Sequence, residues 1–200
     1  EAFQKSVGMN GVGTKAVNAL SSYFKVQSVR DGKMKVAEFR QGQIFNDAKI
    51  VDTDEKNGTY IEFVPDDDPR IFGKYAYIDE YITKMIWHYS CLNRGLTLIY
   101  NGKKYYSKNG LMDLLSGNIN DTDALYPIIH MSADNFEFAF THSDKVYTEE
   151  HYSFVNGQNT IHGGTHLAGF REALVKVLKD FYKKDYEPAD IRQGLVAAIS

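Results

Sequence analysis

Alternating hydrophobic and polar positions run through the first third of the chain and predict a small antiparallel sheet. The alternation is clearest over residues 59–64, where a period of two is typical of a half-buried strand. Asp31-Gly32 separates two further stretches of this kind, and the dipeptide favours a hairpin turn that needs positive φ at both positions. The predicted strands of this region are 23–30, 33–40, 44–51 and 59–64.

Apolar residues at helical spacing predict two long helices, over 77–92 and 165–183, each with a buried stripe. Two short helices are expected over 12–22, where the apolar spacing indicates a buried helix, and over 111–115. The stripe of the first long helix is Ile78, Ile82, Met85, Ile86, Tyr89 and Leu92, and that of the second is Leu167, Phe170, Leu174, Val177, Leu178 and Phe181.

Strands and helices follow one another in runs, which favours an α+β fold over a doubly wound parallel sheet. Asn101-Gly102 is the strongest two-residue hairpin signal of the chain.

A change of composition over residues 65–74 predicts a boundary between residues 1–72 and 73–200. The acidic run Asp66-Asp67-Asp68 within it is interpreted as a solvated connector and not as a metal site, because nothing in the sequence orients the three carboxylates. The remaining predicted strands are 96–100, 103–106, 128–132, 135–141 and 146–156.

Composition narrows the class of protein. The chain has 200 residues, 43% of them hydrophobic, and a formal net charge of −3, so bulk charge gives no case for nucleic acid. One cysteine excludes an internal disulfide. Because no apolar run approaches the roughly 20 residues that cross a bilayer, a cytoplasmic protein without membrane contact is expected.

Three glycines, Gly8, Gly11 and Gly13, lead directly into the first predicted helix. Glycine brings backbone amides close to a ligand, and the N-terminus of a helix attracts phosphate, so a phosphate cradle is one interpretation. An ordinary glycine turn before a core helix is the other. Spacing alone favours the turn, since the pattern fits neither the dinucleotide fingerprint nor the P-loop.

Other candidate chemistry is weak, and no catalytic residue and no metal ligand is expected in this chain. His162 and His166 are separated by Gly163-Gly164-Thr165, which breaks the helical geometry of a zinc pair. Cys91 lies one turn after His88, but a partly buried structural cysteine is the better interpretation because no oxyanion cradle is evident nearby.

Four segments in order resemble the B subunits of bacterial type IIA topoisomerases, gyrase and topoisomerase IV. Residues 8–21 resemble the glycine-rich ATP lid of that family, and Asn57-Gly58-Thr59 resembles the start of its adenine-side strand. Residues 163–171, Gly-Gly-Thr-His-Leu-Ala-Gly-Phe-Arg, are similar to the opening of its long transducer helix, and residues 191–200 to the segment after it.

The resemblance implies a fold and a set of contacts. Residues 1–72 would be the C-terminal part of a GHKL-type ATPase domain. Residues 73–200 would be a transducer domain, a mixed sheet with long helices packed on one face. Arg30 would lie beside the pocket for aminocoumarin inhibitors, and Arg171 would line the cavity that receives the transported DNA. The ATP-binding residues would be Gly8, Met9, Asn10, Gly11, Val12, Gly13, Thr14 and Thr59.

The resemblance also implies partners and cofactors. The full-length protein would use ATP and Mg²⁺, act on DNA, assemble with the topoisomerase's other chain, the A subunit, and dimerise when ATP binds. The family's catalytic glutamate and magnesium-binding asparagine would lie upstream of residue 1, so this polypeptide alone is expected to be inactive and monomeric or weakly dimeric.

Met9-Asn10 and Thr14-Lys15 favour topoisomerase IV over gyrase. A chaperone or mismatch-repair ATPase and a non-catalytic α+β interaction module stay open as alternatives.

Overall fold

The computed structural model describes residues 11–120 and 122–200, and the chain divides into two compact units between Tyr77 and Ile78. Both units combine strands with helices, and the predicted α+β class is confirmed. The helices are α1 (Val12–Ala19), α2 (Asp79–Leu92), α3 (Leu111–Asn118), α4 (Thr165–Tyr182) and α5 (Pro188–Arg192). The strands are β1 (Ser21–Arg30), β2 (Lys33–Arg40), β3 (Gln43–Asp47), β4 (Val51–Asp52), β5 (Gly58–Pro65), β6 (Thr97–Tyr100), β7 (Lys103–Tyr106), β8 (Ile129–Ala133), β9 (Phe136–His142), β10 (Glu150–Val155), β11 (Gln158–Asn159) and β12 (Leu195–Ile199).

The first unit is built on an antiparallel sheet of order β3-β2-β1-β5. Asp31 and Gly32 both have positive φ, 52° and 74°, which confirms the predicted hairpin between β1 and β2. Phe24 of β1 is buried between its two register partners, Phe39 of β2 and Phe63 of β5. The predicted strand 44–51 is interrupted after Asp47, and the chain pairs with β2 in two separate pieces, β3 and β4.

Helix α1 forms as predicted, but the expectation that it is buried is wrong. None of its residues is buried, and Val12 is 59% exposed. A helix of two turns can place only part of its surface on the sheet. Its apolar side chains instead line an open cavity of about 330 Å³. The cavity is lined by Ala16, Val17, Leu20, Ser21, Phe63, Pro65, Phe72, Tyr75, Ala76 and Tyr77.

The acidic run after β5 is an ordered turn, and its interpretation as a solvated connector is wrong at Asp66. That side chain is only 4% exposed, and its oxygens accept hydrogen bonds from Gln41 Nε2 at 2.6 Å and from the Asp68 amide at 3.0 Å. Asp68 in turn binds the guanidinium of Arg70. Within the part of the chain that the structure describes, no three metal-ligating side chains come together, here or elsewhere.

The second unit is a mixed sheet of order β11-β10-β12-β9-β8, in which β10 and β12 are parallel. All five residues of β12 are buried. Val196 and Ala198 belong to a core that includes α2 and α3, whereas Leu195, Ala197 and Ile199 pack with Phe170 of α4. Because side chains alternate along a strand, these two cores lie on opposite faces of the sheet. The expectation that the helices pack on one face is therefore wrong, since a strand that is apolar at every position needs cover on both faces.

The buried stripes of the two long helices are shorter than predicted. In α2 the fully buried residues are Ser90 and Cys91, while Met85 is exposed. In α4 the first turns pack on the sheet through Leu167, Phe170 and Leu174, whereas Val177 and Phe181 are exposed. A helix of 18 residues is about 27 Å long and a strand of five residues about 17 Å, so the sheet cannot cover the whole of α4.

Cys91 is a structural residue, as expected. It lies in the core against α3, and burial raises the pKa of its thiol to about 12. A thiol with such a pKa stays protonated at neutral pH and is a poor nucleophile.

Among the described residues, no helix is both long and apolar enough to cross a bilayer.

Gly194, which leads into β12, is predicted to be intolerant of any side chain. Its φ is +78°, and a Cβ would lie 2.5 Å from the Ser143 carbonyl oxygen. Gly194→Ala is expected to lower the free energy of unfolding by roughly 1–2 kcal/mol for the left-handed backbone, plus about 1–3 kcal/mol for the clash. Denaturant unfolding of the purified variants measures the loss.

Gly95→Ala is the matched control for the backbone contribution. Gly95 has a φ of +85° but no described residue within 4 Å of the Cβ position, so it carries the backbone strain without the clash. Equal losses in the two variants would contradict the proposed close contact at Gly194.

Candidate functional site

The glycine-spaced entrance to α1 is open and uncapped where the structure describes it. Gly8, Met9 and Asn10 lie outside the described residues. Gly11 is the N-cap residue in left-handed geometry, with a φ of 58°, and no side chain caps the helix. Val12, Gly13 and Thr14 are exposed, and the first amides of a helix have no partner within it. The first turn contains no acidic residue, so the partial positive charge of this helix end is available to an anion.

Two further predicted contacts, Thr59 and Arg30, lie on one face of the first sheet. Thr59 of β5 is the register partner of Ser28, and Arg30 follows Ser28 by two positions on β1. The Arg30 side chain is 87% exposed and lies 3.5 Å from the Asp31 carboxylate, an exposed pair that contributes little stability. The Asp31 amide donates to Asn57 Oδ1 at 2.8 Å, which holds the β1–β2 turn to the segment before β5. This end of the sheet therefore presents a threonine hydroxyl and an exposed guanidinium together.

The structure thus places the described site residues of the first unit in two groups. Thr59 and Arg30 lie together towards the end of β1 that leads into the hairpin. The glycine segment lies at the N-terminal end of α1, and the opposite end of that helix leads into β1 at Ser21.

In the second unit, Arg171 is held by a carboxylate that sequence reasoning missed. Its Nε and Nη2 donate to Glu149 Oε2 at 2.8 Å and Oε1 at 2.6 Å. Arg192 Nε donates to the same Oε1 at 3.0 Å, and His151 Nε2 lies 2.9 Å from Oε2. We call these four residues the Glu149 cluster. It joins α4, the C-terminal end of α5 and the start of β10.

The charges of the Glu149 cluster do not cancel. Burial favours the neutral form of Glu149, but the hydrogen bonds from Arg171, His151 and Arg192 outweigh it and lower the pKa to about 2. The same contact raises the pKa of Arg171. Two guanidinium groups therefore share one ionised carboxylate at neutral pH. The excess positive charge is accessible, because the Arg171 side chain is 38% exposed.

No sequence pattern could have identified the Glu149 cluster. Arg171 and Arg192 lie 22 and 43 residues from Glu149 along the chain, so the pairing has no helical or strand period. The only local signal is that Arg192 stands just before an apolar strand, where a charge has to find a partner at the edge of the core.

The two histidines considered for a metal site have other surroundings. His166 Nε2 lies 2.6 Å from Ser153 Oγ, which ties the start of α4 to β10, and His162 is exposed in the preceding loop. Their interpretation as loop and helix-start residues is confirmed.

Comparison with known proteins gives a consistent result. Residues 100–200 match the family described as DNA gyrase B. The chain is 50% identical over 200 residues to the B subunit of DNA topoisomerase 4 from Borreliella burgdorferi, covering 100% of this chain and 33% of that protein. It is 33% identical over 221 residues to the B subunit of DNA gyrase from Streptococcus pneumoniae, covering 99% of this chain and 34% of that protein. The chain thus spans about a third of the length of these relatives.

Solved structures agree in fold. The 43K ATPase domain of Thermus thermophilus gyrase B, in complex with an aminocoumarin, superposes with a TM-score of 0.74 at 28% identity, covering 95% of this chain and 58% of that one. The ATPase region of Saccharomyces cerevisiae topoisomerase II gives a TM-score of 0.77 at 21% identity, covering 98% and 52%, and shares the fold.

Glu149 is predicted to make stability depend on pH in the acid range. Its folded pKa of about 2 lies below its ordinary value of 4.5, so its contribution is fully present above about pH 4.5 and is lost as pH falls towards 2. Glu149→Gln should lower the free energy of unfolding at neutral pH and flatten its decrease on acidification. Denaturant unfolding at neutral pH and at about pH 3 measures both effects.

Glu150→Gln is the control, because Glu150 is the next residue and its side chain accepts a hydrogen bond from the Tyr152 hydroxyl instead of from an arginine. An acid dependence that is the same in both variants would contradict the prediction.

Proposed function

Because the chain belongs to the family of type IIA topoisomerase B subunits, we propose that it is part of the ATP-driven component of a type II DNA topoisomerase. In this proposal ATP binding and hydrolysis are coupled to the passage of one DNA duplex through another. The residues up to about 72 form the C-terminal part of a GHKL-type ATPase domain, and those from 73 form a transducer domain. The division of the chain between Tyr77 and Ile78 supports this plan.

The observation that carries the proposal is the open entrance of α1. Amides at Gly11, Val12, Gly13 and Thr14, continuing the segment from Gly8, Met9 and Asn10, hold the triphosphate of ATP. Three features fit a bulky anion: the uncapped helix end, the left-handed Gly11, and the absence of any described residue within 4 Å of the Cβ position at Gly11 and Gly13. Bound ATP supplies a γ-phosphate whose cleavage drives the cycle, and the residues of this chain bind and orient it.

Thr59 and Arg30 border the adenine side of the proposed nucleotide pocket. Thr59 supplies a hydroxyl for hydrogen bonding on that side. Arg30 is available to contact an inhibitor beside the nucleotide, since its guanidinium is almost fully exposed. The proposed Arg30 contact is with an aminocoumarin, the class of compound bound to the Thermus thermophilus domain.

The described residues do not form a binding site for Mg²⁺. Hydrolysis of ATP needs a metal and a positioned water, but residues 11–120 and 122–200 bring no three potential ligands together. Mg²⁺ belongs to the proposed full-length protein, with its ligand supplied by another segment.

The second unit relays the nucleotide state to DNA in this proposal. Arg171 faces the cavity that receives the transported duplex, where its partly exposed guanidinium contacts the phosphate backbone. Residues 171–192 carry six basic and five acidic side chains, so the DNA-facing role depends on local geometry and not on net charge. The proposed partners are DNA, the A subunit of the topoisomerase and a second copy of this protein that dimerises with it on ATP binding, all in the cytoplasm.

Gly13 provides a test of the nucleotide-binding proposal in the full-length protein. Gly13→Leu adds a good helix former in open space, so the helix should gain up to about 1 kcal/mol in propensity, yet the side chain blocks the approach of phosphate. We expect ATP hydrolysis to fall at least ten-fold, measured as phosphate release.

Gly169→Leu is the matched control. Gly169 lies inside α4 and also has no atom within 4 Å of the Cβ position, so the same substitution should leave hydrolysis without DNA unchanged. Full activity of Gly13→Leu would refute the assignment of this segment to the phosphates.

We propose topoisomerase IV rather than gyrase as the parent enzyme. The 50% identity to a topoisomerase 4 relative, against 33% to a gyrase relative, supports this choice. The full-length protein, reconstituted with its A subunit, is expected to decatenate linked DNA circles and to relax supercoils with ATP. ATP-dependent introduction of negative supercoils into relaxed plasmid would favour gyrase instead.

A further inference from the structure

Outside the proposed nucleotide site, the Glu149 carboxylate is the described acidic group that pairs with the most basic side chains, His151, Arg171 and Arg192. A carboxylate offers about four lone-pair positions, and four N–H groups occupy them: two from Arg171 and one each from Arg192 and His151. The four side chains are held from β10, its preceding residue, α4 and α5. Such a group cannot rotate without breaking bonds to several elements at once.

From this arrangement we propose that Glu149 is a positioning residue, which orients Arg171 so that its free edge meets a phosphate of duplex DNA. The inference rests on the proposed DNA-facing role of Arg171. Glu149 itself touches no DNA in this proposal and acts only through the arginine.

The geometry of a guanidinium makes this orientation specific. The group is planar and rigid, so fixing two of its N–H groups fixes the direction of the others. Glu149 takes the Nε and Nη2 edge of Arg171, which leaves Nη1 as the edge that points away from the carboxylate. A fixed donor loses less entropy on binding phosphate than a freely rotating side chain does.

The positive charge of Arg192 allows the Glu149 cluster to attract an anion. A single arginine paired with Glu149 would form a neutral pair, and a phosphate would gain little from approaching it. The second guanidinium, 3.0 Å from the carboxylate and mostly buried, restores one unit of positive charge to the cluster. The partly exposed Arg171 is the route by which DNA can reach that charge.

The opposite role, in which Glu149 competes with DNA for Arg171, fits the structure less well. Exchange of the carboxylate for phosphate would break two hydrogen bonds to Arg171 and leave a largely buried anion beside a second anion. Burial and the bonds to Arg192 and His151 keep Glu149 in place.

The test uses the full-length protein with Glu149→Gln, which removes the charge and keeps the shape. Binding of a duplex DNA fragment is measured over a series of salt concentrations, together with the ratio of DNA-stimulated to basal ATP hydrolysis. Loss of one phosphate contact should reduce the slope of log K against log salt by about 1, and we expect the stimulation ratio to fall. Glu150→Gln, which removes the same charge one residue away, should match the wild type.

Arg171→Lys is the second variant, and it keeps the test valid if Glu149→Gln does not fold. Lysine retains the charge but lacks the planar fork, so Glu149 cannot fix its direction. If orientation matters, Arg171→Lys reduces the salt slope as Glu149→Gln does, and the double variant is no worse than either single one.

The outcomes separate the two levels of the proposal. An unchanged salt slope in Glu149→Gln or in Arg171→Lys, with wild-type DNA binding intact, would mean that the carboxylate is merely structural and overturns this inference alone. Tighter DNA binding by Glu149→Gln would show competition and also overturn it. A wild-type protein that neither binds duplex DNA nor responds to it in ATP hydrolysis would overturn the proposed function and this inference together.

Discussion

The second unit depends on one short strand, β12, which is apolar at each of its five positions and buried on both faces. Full burial of a leucine, valine or isoleucine side chain contributes about 1.5–3 kcal/mol, and β12 has three of them, Leu195, Val196 and Ile199. Those side chains bring α2 and α3 to one face of the sheet and α4 to the other. Gly194 immediately precedes the strand at a position where only glycine fits, and α5 ends at Arg192, two residues earlier. The Glu149 cluster thus lies beside elements that the hydrophobic core of this unit holds in place.

The first unit follows a different rule, because α1, the helix of the proposed nucleotide site, is exposed. Helix α1 has no buried residue and no side-chain cap, two features that lower the stability of a helix. A capped and buried helix would be more stable, but its terminal amides would be occupied. The same features therefore weaken the helix and leave its first amides without a side-chain partner, which suits the phosphate contact proposed for this segment.

Sequence patterns predicted most of the secondary structure because its signals are local. The two positive-φ dipeptides, Asp31-Gly32 and Asn101-Gly102, set two hairpins, and α4 begins at Thr165 after two glycines as expected. Burial was predicted less well. The period of α4 identified the apolar face but not that the sheet ends before Val177, and the apolar residues of α1 suggested a core that a two-turn helix does not reach. Both errors concern which other element covers a helix. The hydrophobic period of a helix shows its apolar face but not what packs against that face.

The Glu149 cluster shows that sequence patterns also miss functional contacts that depend on the tertiary fold. A count over residues 171–192 gives a near balance of charge, so net charge does not by itself indicate a DNA-facing surface. The fold instead brings Glu149 from outside that segment to Arg171 and Arg192. Two arginines on one carboxylate form a local positive charge in a protein whose formal net charge is −3. Since screening limits electrostatic attraction to about 10 Å at ordinary ionic strength, the DNA phosphate of the proposed contact would respond to this local arrangement far more than to the net charge of the chain.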